Sequence, residues 1–213
     1  MWAANIIYGL SRLFMPLRYR ILLEGIDNLP ADGPVLLLAK HQRLDDIPLG
    51  LMVLQKYRRS DIYCIMKDSL AKWYFFNIIV LAGGIPLNRK NPEKSKWPLI
   101  FARDQLHAGK LMVIFPEQTF FPGKMGRGKT PGFRFLAGRP EKPLAVNVIG
   151  FRYQKTGWRT DAHIRIGKTT YYNKDQDPDD FLHERMHEMA ELSLLTYPYK
   201  RPSKETVDSG TEP

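Results

Sequence analysis

A short, wholly apolar run bounded by turn residues constrains the fold of this chain more than any other feature. Val35–Ala39 (VLLLA) follows Gly25–Pro34 (GIDNLPADGP), which is dense in turn residues, and ends directly before Lys40 and His41. A strand with one face in solvent alternates apolar and polar residues, whereas a strand buried on both faces is apolar throughout. The run therefore predicts an interior strand of a parallel sheet that is covered on both sides.

Strand-like and helix-like segments alternate along the rest of the chain, and glycine or proline separates several of them. The predicted strands are Arg20–Glu24, Val35–Ala39, Ile62–Met66, Ile85–Leu87, Leu111–Phe115, Leu144–Phe151 and His163–Ile166. The predicted helices are Asp46–Tyr57, Ala71–Leu81, Lys96–Ala108, one that starts within Phe133–Leu136, and Pro178–Thr196. This order predicts a single α/β domain over residues 18–197, with a mostly parallel central sheet flanked by helices.

Residues 1–17 predict an amphipathic N-terminal helix beside this domain. Their apolar residues recur at helical spacing, and the only charged groups before residue 21 are arginines. Two interpretations stay open: the helix lies flat on a membrane surface with its arginines at the headgroups, or it packs on its own domain. At the other end, residues 198–213 contain almost no apolar side chains and predict a disordered tail.

No segment predicts a membrane-spanning helix or a secretory signal. An apolar run of about 18 residues is the usual minimum for a span, and the closest run here, Trp73–Leu87, contains Asn77 and Pro86. The N-terminus lacks the basic start and the small-residue cleavage site of a signal peptide. Together with the predicted helix over residues 1–17, this favours a peripheral membrane location on the cytoplasmic face.

The chain carries a large excess of positive charge, with 32 Lys and Arg residues against 22 Asp and Glu residues and a formal net charge of +10. This charge predicts an anionic partner, such as nucleic acid, an anionic membrane surface or a phosphorylated substrate. No recognition signature for nucleic acid accompanies it, so nucleic acid is not expected as a partner. The single cysteine, Cys64, excludes an internal disulfide and a cysteine-based metal cluster, and we expect it to be an inert thiol in a strand.

A histidine and a carboxylate follow the first buried strand, at the place where open α/β sheets bind their ligands. His41 and Asp46 form the pattern His-x4-Asp. A loop or first helical turn can bring the carboxylate onto the imidazole, orient the ring and leave its second nitrogen to take a proton from a hydroxyl. Because this spacing also occurs by chance, a structural histidine near a helix N-terminus is the alternative.

Four blocks in order along residues 18–195 resemble the glycerophospholipid acyltransferases of the lysophosphatidate acyltransferase type. The blocks are Lys40–Gln42 with the His-x4-Asp spacing, Gly84–Arg89 (GIPLNR), Phe115–Thr119 (FPEQT) and Pro143–Val148 (PLAVNV). The resemblance implies that His41 is a general base oriented by Asp46. It implies transfer of an acyl group from acyl-CoA or acyl-carrier protein to a lysophospholipid hydroxyl, above all lysophosphatidate to phosphatidate. It requires no cofactor, no metal and no covalent acyl-enzyme.

The same resemblance assigns five residues to substrate binding: Arg89, Glu117, Gln118, Thr119 and Lys129. A guanidinium suits bidentate contact with a phosphate, which is the role implied for Arg89. Since a bare carboxylate repels phosphate, Glu117 is expected either to hold the glycerol hydroxyl or to fix neighbouring cations. Backbone N–H groups near Glu117 and Gln118 are expected to meet the developing oxyanion. A solvated basic loop without a ligand is the alternative for the lysine.

The chain departs from the family pattern at four positions. Gln118 replaces a glycine, Phe120 stands where an arginine is frequent, Asn88 replaces a frequent aspartate, and Asn147 replaces a proline. Loss of the arginine removes one phosphate contact, so a lysophospholipid with another headgroup, or an amino-acid lipid, stays open as the acceptor.

Two other functions compete with the acyltransferase. The first is a non-catalytic basic module that binds lipid through its charge alone. The second is a zinc hydrolase, because His183-Glu184-Arg185-Met186-His187 fits His-Glu-x-x-His. The extended zinc pattern fails, since Ala190 and Ser193 stand where glycine and histidine are needed, and we expect a surface-facing histidine pair without metal.

Overall fold

An eight-stranded sheet with helices on both faces organises the chain. The structure is a computed structural model that describes residues 2–57, 59–68, 76–88 and 91–201. Its strands are β1 (Tyr19–Glu24), β2 (Val35–Ala39), β3 (Ile62–Lys67), β4 (Gly84–Leu87), β5 (Leu111–Ile114), β6 (Leu144–Thr156), β7 (Arg159–Ile166) and β8 (Thr170–Tyr172). Its helices are α1 (Trp2–Arg18), α2 (Asp46–Tyr57), α3 (Phe76–Leu81), α4 (Pro92–His107), α5 (Thr130–Ala137) and α6 (Pro178–Ser193).

The predicted interior strand β2 lies in the middle of this sheet. The strand order is β1-β7-β6-β2-β5-β3-β4, with β8 paired to the start of β6. Strand β2 is parallel to both β5 and β6, and all five of its residues are buried. Only the β6–β7 and β6–β8 pairs are antiparallel among the described strands. The prediction of one α/β domain with a mostly parallel sheet is confirmed.

Alternate residues of β2 point into two separate halves of the core. Leu36 and Leu38 belong to the cluster covered by α4, α5 and α6, whereas Leu37 belongs to the cluster covered by α1 and α2. Full burial of a leucine side chain is worth about 1.5–3 kcal/mol, so each residue of the run contributes on one side or the other. This double burial explains why the strand sequence is apolar without alternation.

Several helix ends differ from the sequence predictions for local reasons. Helix α4 begins at Pro92 instead of Lys96, because the Asn91 side chain accepts the N–H of Lys94 at 3.4 Å and proline is favourable in the first turn. Helix α6 ends at Ser193 instead of Thr196, since Leu194 adopts a left-handed φ of 52° that stops the helix. Residues 71–75 of the predicted third helix and residues 202–213 of the predicted tail lie outside the described part of the chain.

The strands around the β6–β7 hairpin are longer or more numerous than predicted. Strand β6 continues past Phe151 to Thr156, β7 starts at Arg159 instead of His163, and β8 was not predicted at all. Most of the extra residues of β6 and β7 are polar, and among them only Tyr153 and Ala162 pack on the core. A hydrophobic pattern does not reveal strand residues of which so few face the core.

The N-terminal helix α1 packs on the domain through small residues and turns large ones outward. Ala3, Ala4 and Ser11 are buried against the domain. Six large apolar side chains, each 46–64% exposed, form the opposite face: Trp2, Ile6, Leu10, Leu13, Phe14 and Leu17. The helix is therefore packed on its own domain and still presents an apolar face to its surroundings. Within the described residues, no helix is both long and apolar enough to cross a membrane.

Candidate active site

The loop after β2 brings Asp46 onto His41. Oxygen Oδ2 of Asp46 accepts the backbone N–H groups of Gln42 at 2.6 Å and Arg43 at 2.7 Å, and it lies 3.3 Å from Nδ1 of His41. Oδ1 accepts the hydroxyl of Tyr153 at 2.5 Å. With these partners the carboxylate is only 1% exposed and has a fixed orientation. The pair predicted from the sequence spacing is thus in contact, with Nδ1 facing the carboxylate.

Two phenylalanine rings hold the imidazole of His41 between them. The centroids of Phe115 and Phe120 lie 4.1 Å and 4.0 Å from the imidazole centroid. Phe120, which stands where the family frequently has arginine, therefore packs on the histidine. No hydrogen bond from Nε2 to a described residue is found, and the His41 side chain is 11% exposed. A neutral imidazole in this orientation offers Nε2 as a proton acceptor, and the aromatic faces and Asp46 favour the cation that forms.

Lys40 and Glu117 form a buried ion pair beside the backbone of His41. Nζ of Lys40 is 3.0 Å and 2.8 Å from the two carboxylate oxygens of Glu117, and both side chains are fully buried. The same ammonium donates to the carbonyl oxygens of His41 at 3.2 Å and Phe121 at 3.1 Å. Burial lowers the pKa of Lys40, and the attraction of Glu117 opposes that shift. Lys40 was not assigned a role from the sequence.

Glu117 supports the backbone around the histidine. Its Oε2 accepts the N–H of His41 at 3.1 Å, and its Oε1 accepts the N–H of Gly126 at 2.5 Å. Of the two roles expected for this carboxylate, the geometry matches the fixing of a neighbouring cation. Its contact with a substrate stays a prediction, and the residue is 1% exposed.

Three of the four other predicted substrate-binding residues are among the described residues. Gln118 has a left-handed φ of 60°, a conformation typical of the glycine that it replaces. Its N–H donates to the carbonyl of Phe115 at 2.9 Å, so this amide is already paired and does not fit the expected oxyanion role. The side chains of Thr119 and Lys129 are exposed. Arg89 lies outside the described residues.

Sequence reasoning missed two residues that tie the site together. Tyr153 lies on β6, far from the motif in sequence, and burial together with the charge of Asp46 raises the pKa of its hydroxyl. Gln42 accepts the N–H of Gly123 at 3.0 Å through Oε1 and donates through Nε2 to the carbonyl of Phe151. The adjacency of Gln42 to His41 was the only sequence signal, and nothing in the sequence connected Tyr153 to the motif.

An apolar cavity of about 480 Å³ opens beside Asp46. Its lining residues come from one face of the sheet and from the helices that cover it, and they include Ile7, Leu37, Leu51, Leu54, Ile62, Cys64, Val113 and Phe151. The cavity runs from Phe115, which follows β5, towards Ile62 at the start of β3, so it extends along the sheet away from the histidine. Burial raises the pKa of the Cys64 thiol to about 12, which agrees with an inert thiol.

The second histidine motif is partly buried and lies on α6, across the sheet from this cavity. Nε2 of His183 and Nε2 of His187 are 3.2 Å apart, and His183 is only 9% exposed, so the expectation of a surface-facing pair is wrong for this residue. His183 is buried because its ring packs against the ring of Tyr197. Burial, and then the charge of His187, lower the pKa of His183. Among the described side chains, no group of three or more His, Cys, Asp or Glu residues could hold a metal ion.

Comparisons with known proteins identify the family and the fold of the chain. The family model described as Acyltransferase matches residues 20–145, more than half of the chain and the whole region from β1 to the start of β6. The chain belongs to this acyltransferase family.

A solved structure shares the fold. The crystal structure of the 1-acyl-sn-glycerophosphate (LPA) acyltransferase PlsC from Thermotoga maritima matches with a TM-score of 0.64 and 22% sequence identity, over 88% of this chain and 77% of that chain. No curated protein matches the sequence.

Proposed function

We propose that this acyltransferase works at a membrane surface and moves a fatty acyl group from acyl-CoA or acyl-carrier protein to the hydroxyl of a lysophospholipid. Lysophosphatidate, which would yield phosphatidate, is the acceptor that we favour. The observation that carries the proposal is the contact of His41 with Asp46, which itself lines an apolar cavity of about 480 Å³. This arrangement sets a proton acceptor beside a space for an acyl chain.

The reaction follows from the orientation of the imidazole. Nε2 of His41 takes the proton of the acceptor hydroxyl, while the hydroxyl oxygen attacks the carbonyl carbon of the acyl thioester. Collapse of the tetrahedral intermediate breaks the carbon–sulfur bond, and the thiolate leaves with the proton that His41 held. Asp46 keeps the ring oriented and stabilises its charged state.

The apolar cavity supports a fatty acyl chain as the transferred group. Each buried methylene gains about 0.8 kcal/mol, so roughly ten methylenes would contribute a gross gain of about 8 kcal/mol. Ile7 of α1 lines the cavity together with sheet residues, so the N-terminal helix forms part of its wall. A chain that enters from a lipid surface would therefore pass beside α1.

The outward apolar face of α1 supports a peripheral membrane location. Six exposed large apolar residues on one helix, with Arg12 and Arg18 as its only charges, are typical of a helix that lies in a lipid interface. We also propose that this contact is made with the cytoplasmic face of the membrane. Phosphate recognition by Arg89 remains part of the proposal.

Transfer from labelled donors to a panel of acceptors tests this function. Acyl-CoA and acyl-carrier protein would each be offered with lysophosphatidate, two lysophospholipids with other headgroups and an amino-acid lipid. We expect turnover with at least one donor and the highest kcat/KM for lysophosphatidate. Vesicle binding without turnover from any pair would refute the proposal and favour a non-catalytic lipid-binding module.

A further inference from the structure

The β6–β7 hairpin continues past the carboxyl end of β2, where the site lies, and β1 pairs with it as far as Thr160. Ala39, the last residue of β2, pairs with Ile149, and β6 continues seven residues further to Thr156. At about 3.3 Å per residue, this extension reaches roughly 23 Å beyond the end of β2. The chain then turns at Gly157, which has a φ of 62° suited to a tight hairpin, and returns as β7.

The tip of this hairpin has the composition of a lipid-interface segment. Trp158 is 77% exposed, and the guanidinium of Arg159 lies 4.4 Å above its ring. Residues 152–160 (RYQKTGWRT) contain three cations and no acidic residue. Nε of Arg159 is buried and has no hydrogen-bond partner among the described residues. Indole rings prefer the boundary between apolar and polar phases, and arginine and lysine beside them favour anionic headgroups.

The hairpin also lies beside the C-terminal half of α1. Arg12 and Pro16 of α1, Arg20 of β1 and Arg159 line one groove. Arg20 is paired with Asp161, so its charge is compensated, and Arg12 and Arg159 supply positive charge to the groove. The groove therefore presents positive charge next to the helix whose outward face is apolar, which complements an anionic lipid surface.

The base of the hairpin is part of the candidate active site. Tyr153, three residues before Thr156, donates its hydroxyl to Asp46, and the guanidinium of Arg43 lies 4.4 Å above the Tyr153 ring. A lipid contact at the tip would therefore fix the orientation of this edge of the sheet relative to the membrane. A single exposed tryptophan is common on protein surfaces. Trp158 differs because cations lie beside it and the helix with the exposed apolar face, α1, lies next to the hairpin.

We propose that the tip of the β6–β7 hairpin, Lys155–Arg159, is a second anchor on an anionic lipid surface, separate from α1. The proposal deepens the proposed function and rests on it for the purpose of the contact. The anchor inserts Trp158 at headgroup level and pairs Lys155 and Arg159 with lipid phosphates. Helix α1 and the hairpin then hold the domain at two points on either side of the groove.

Sedimentation of the full chain with vesicles tests the anchor. The vesicles are phosphatidylcholine with and without phosphatidylglycerol, and the variants are Trp158→Ser and Lys155→Gln. The matched control is Trp97→Ser, because Trp97 is equally exposed at 74% but lies on α4, which covers the other face of the sheet. We expect Trp158→Ser to lower the partition coefficient roughly tenfold. We expect Lys155→Gln to lower it about fivefold on anionic vesicles only.

Equal binding by Trp158→Ser and wild type, or equal losses in Trp158→Ser and Trp97→Ser, would overturn the anchor. Turnover with monomeric short-chain substrates is measured in parallel and should be unchanged in Trp158→Ser. Loss of transfer from acyl-carrier protein with unchanged vesicle binding would instead assign the hairpin to an acidic protein partner and refute the lipid assignment. If wild type shows no turnover at all, the proposed function fails, and the vesicle assay still decides the hairpin.

Discussion

Removal of the ammonium from the buried Lys40–Glu117 pair should destabilise the protein strongly. In Lys40→Met the Glu117 carboxylate keeps its charge in a position without solvent exposure and loses the cation 2.8 Å away. Breaking a buried ion pair in this way costs about 3–5 kcal/mol. Two carbonyl oxygens, of His41 and Phe121, lose a hydrogen bond in the same variant. We therefore expect the free energy of unfolding to fall by about 3–5 kcal/mol.

Substitution of Glu117 as well as Lys40 separates the cost of an isolated buried charge from the cost of the lost hydrogen bonds. In Lys40→Met/Glu117→Gln the buried charge is gone, and the amide oxygen of glutamine can still accept the N–H of His41. We expect the double variant to regain roughly 2 kcal/mol relative to Lys40→Met, because an isolated buried charge is the main cost. Its kcat should remain lower than that of wild type by roughly tenfold to a hundredfold, since the carbonyl oxygens of His41 and Phe121 have lost the ammonium that holds them.

Urea unfolding followed by circular dichroism measures Lys40→Met, Glu117→Gln and the double variant, with Lys124→Met as the control because Lys124 is exposed on the neighbouring loop. The double-mutant cycle should give a coupling energy well above the scatter for independent sites, about 0.5 kcal/mol. A loss below about 1 kcal/mol in Lys40→Met, or strict additivity of the two substitutions, would refute the account of this pair.

Three further predictions concern the tyrosine behind Asp46 and the cysteine in the cavity. Tyr153→Phe removes a hydrogen bond to a charged group, so kcat should fall about tenfold in steady-state assays, whereas Tyr57→Phe on exposed α2 surface should match wild type. Cys64→Phe fills part of the cavity, so kcat/KM should fall for long-chain donors and stay unchanged for short ones; an equal fall for both would contradict an acyl site there. Because the pKa of Cys64 is raised to about 12, its methanethiosulfonate labelling rate should increase about tenfold per pH unit from pH 7 to pH 10. A plateau near pH 9, as for an ordinary thiol, would contradict the burial of Cys64, and Cys64→Ser gives the background rate.

The parallel strands in the middle of the sheet could be predicted from the sequence because they are buried on both faces. The apolar run Val35–Ala39 and the following helix Asp46–Tyr57 match β2 and α2 residue for residue. The β6–β7 extension could not be predicted in the same way, since the residues after Phe151 are mostly polar and only Tyr153 among them packs on the core. Hydrophobic patterns report burial, and residues 154–158 of this hairpin are exposed.

The candidate site was predictable where the motif is local and not where the contact is long-range. The His-x4-Asp spacing directly after a buried strand, together with the ordered family blocks, predicted the contact of His41 with Asp46, and the loop geometry explains it. Lysine is almost never fully buried without a partner, so the role of Lys40 beside Glu117 was not visible before the fold brought them together. The position of Tyr153 depends on the length of β6, which extends five residues beyond its predicted end at Phe151.

The helical spacing of apolar residues in α1 predicts an amphipathic helix but does not show which face of the helix packs on the domain. Small residues, Ala3, Ala4 and Ser11, allow close approach of the helix, and the larger apolar residues are left outside. For a helix of a soluble domain, the apolar face is expected to point inwards. The inverted arrangement here is the structural basis for the proposed membrane contact.

The most direct test of the central claim is the kcat of His41→Ala for transfer of a labelled acyl group to the best acceptor of the panel. His107→Ala is the matched control, because this exposed histidine lies on α4, away from the His41–Asp46 contact. We predict that His41→Ala folds as wild type does, retains vesicle binding and loses on the order of 10² to 10⁴ in kcat, whereas His107→Ala keeps full activity. Unchanged transfer by a folded His41→Ala variant would contradict general-base catalysis by this histidine.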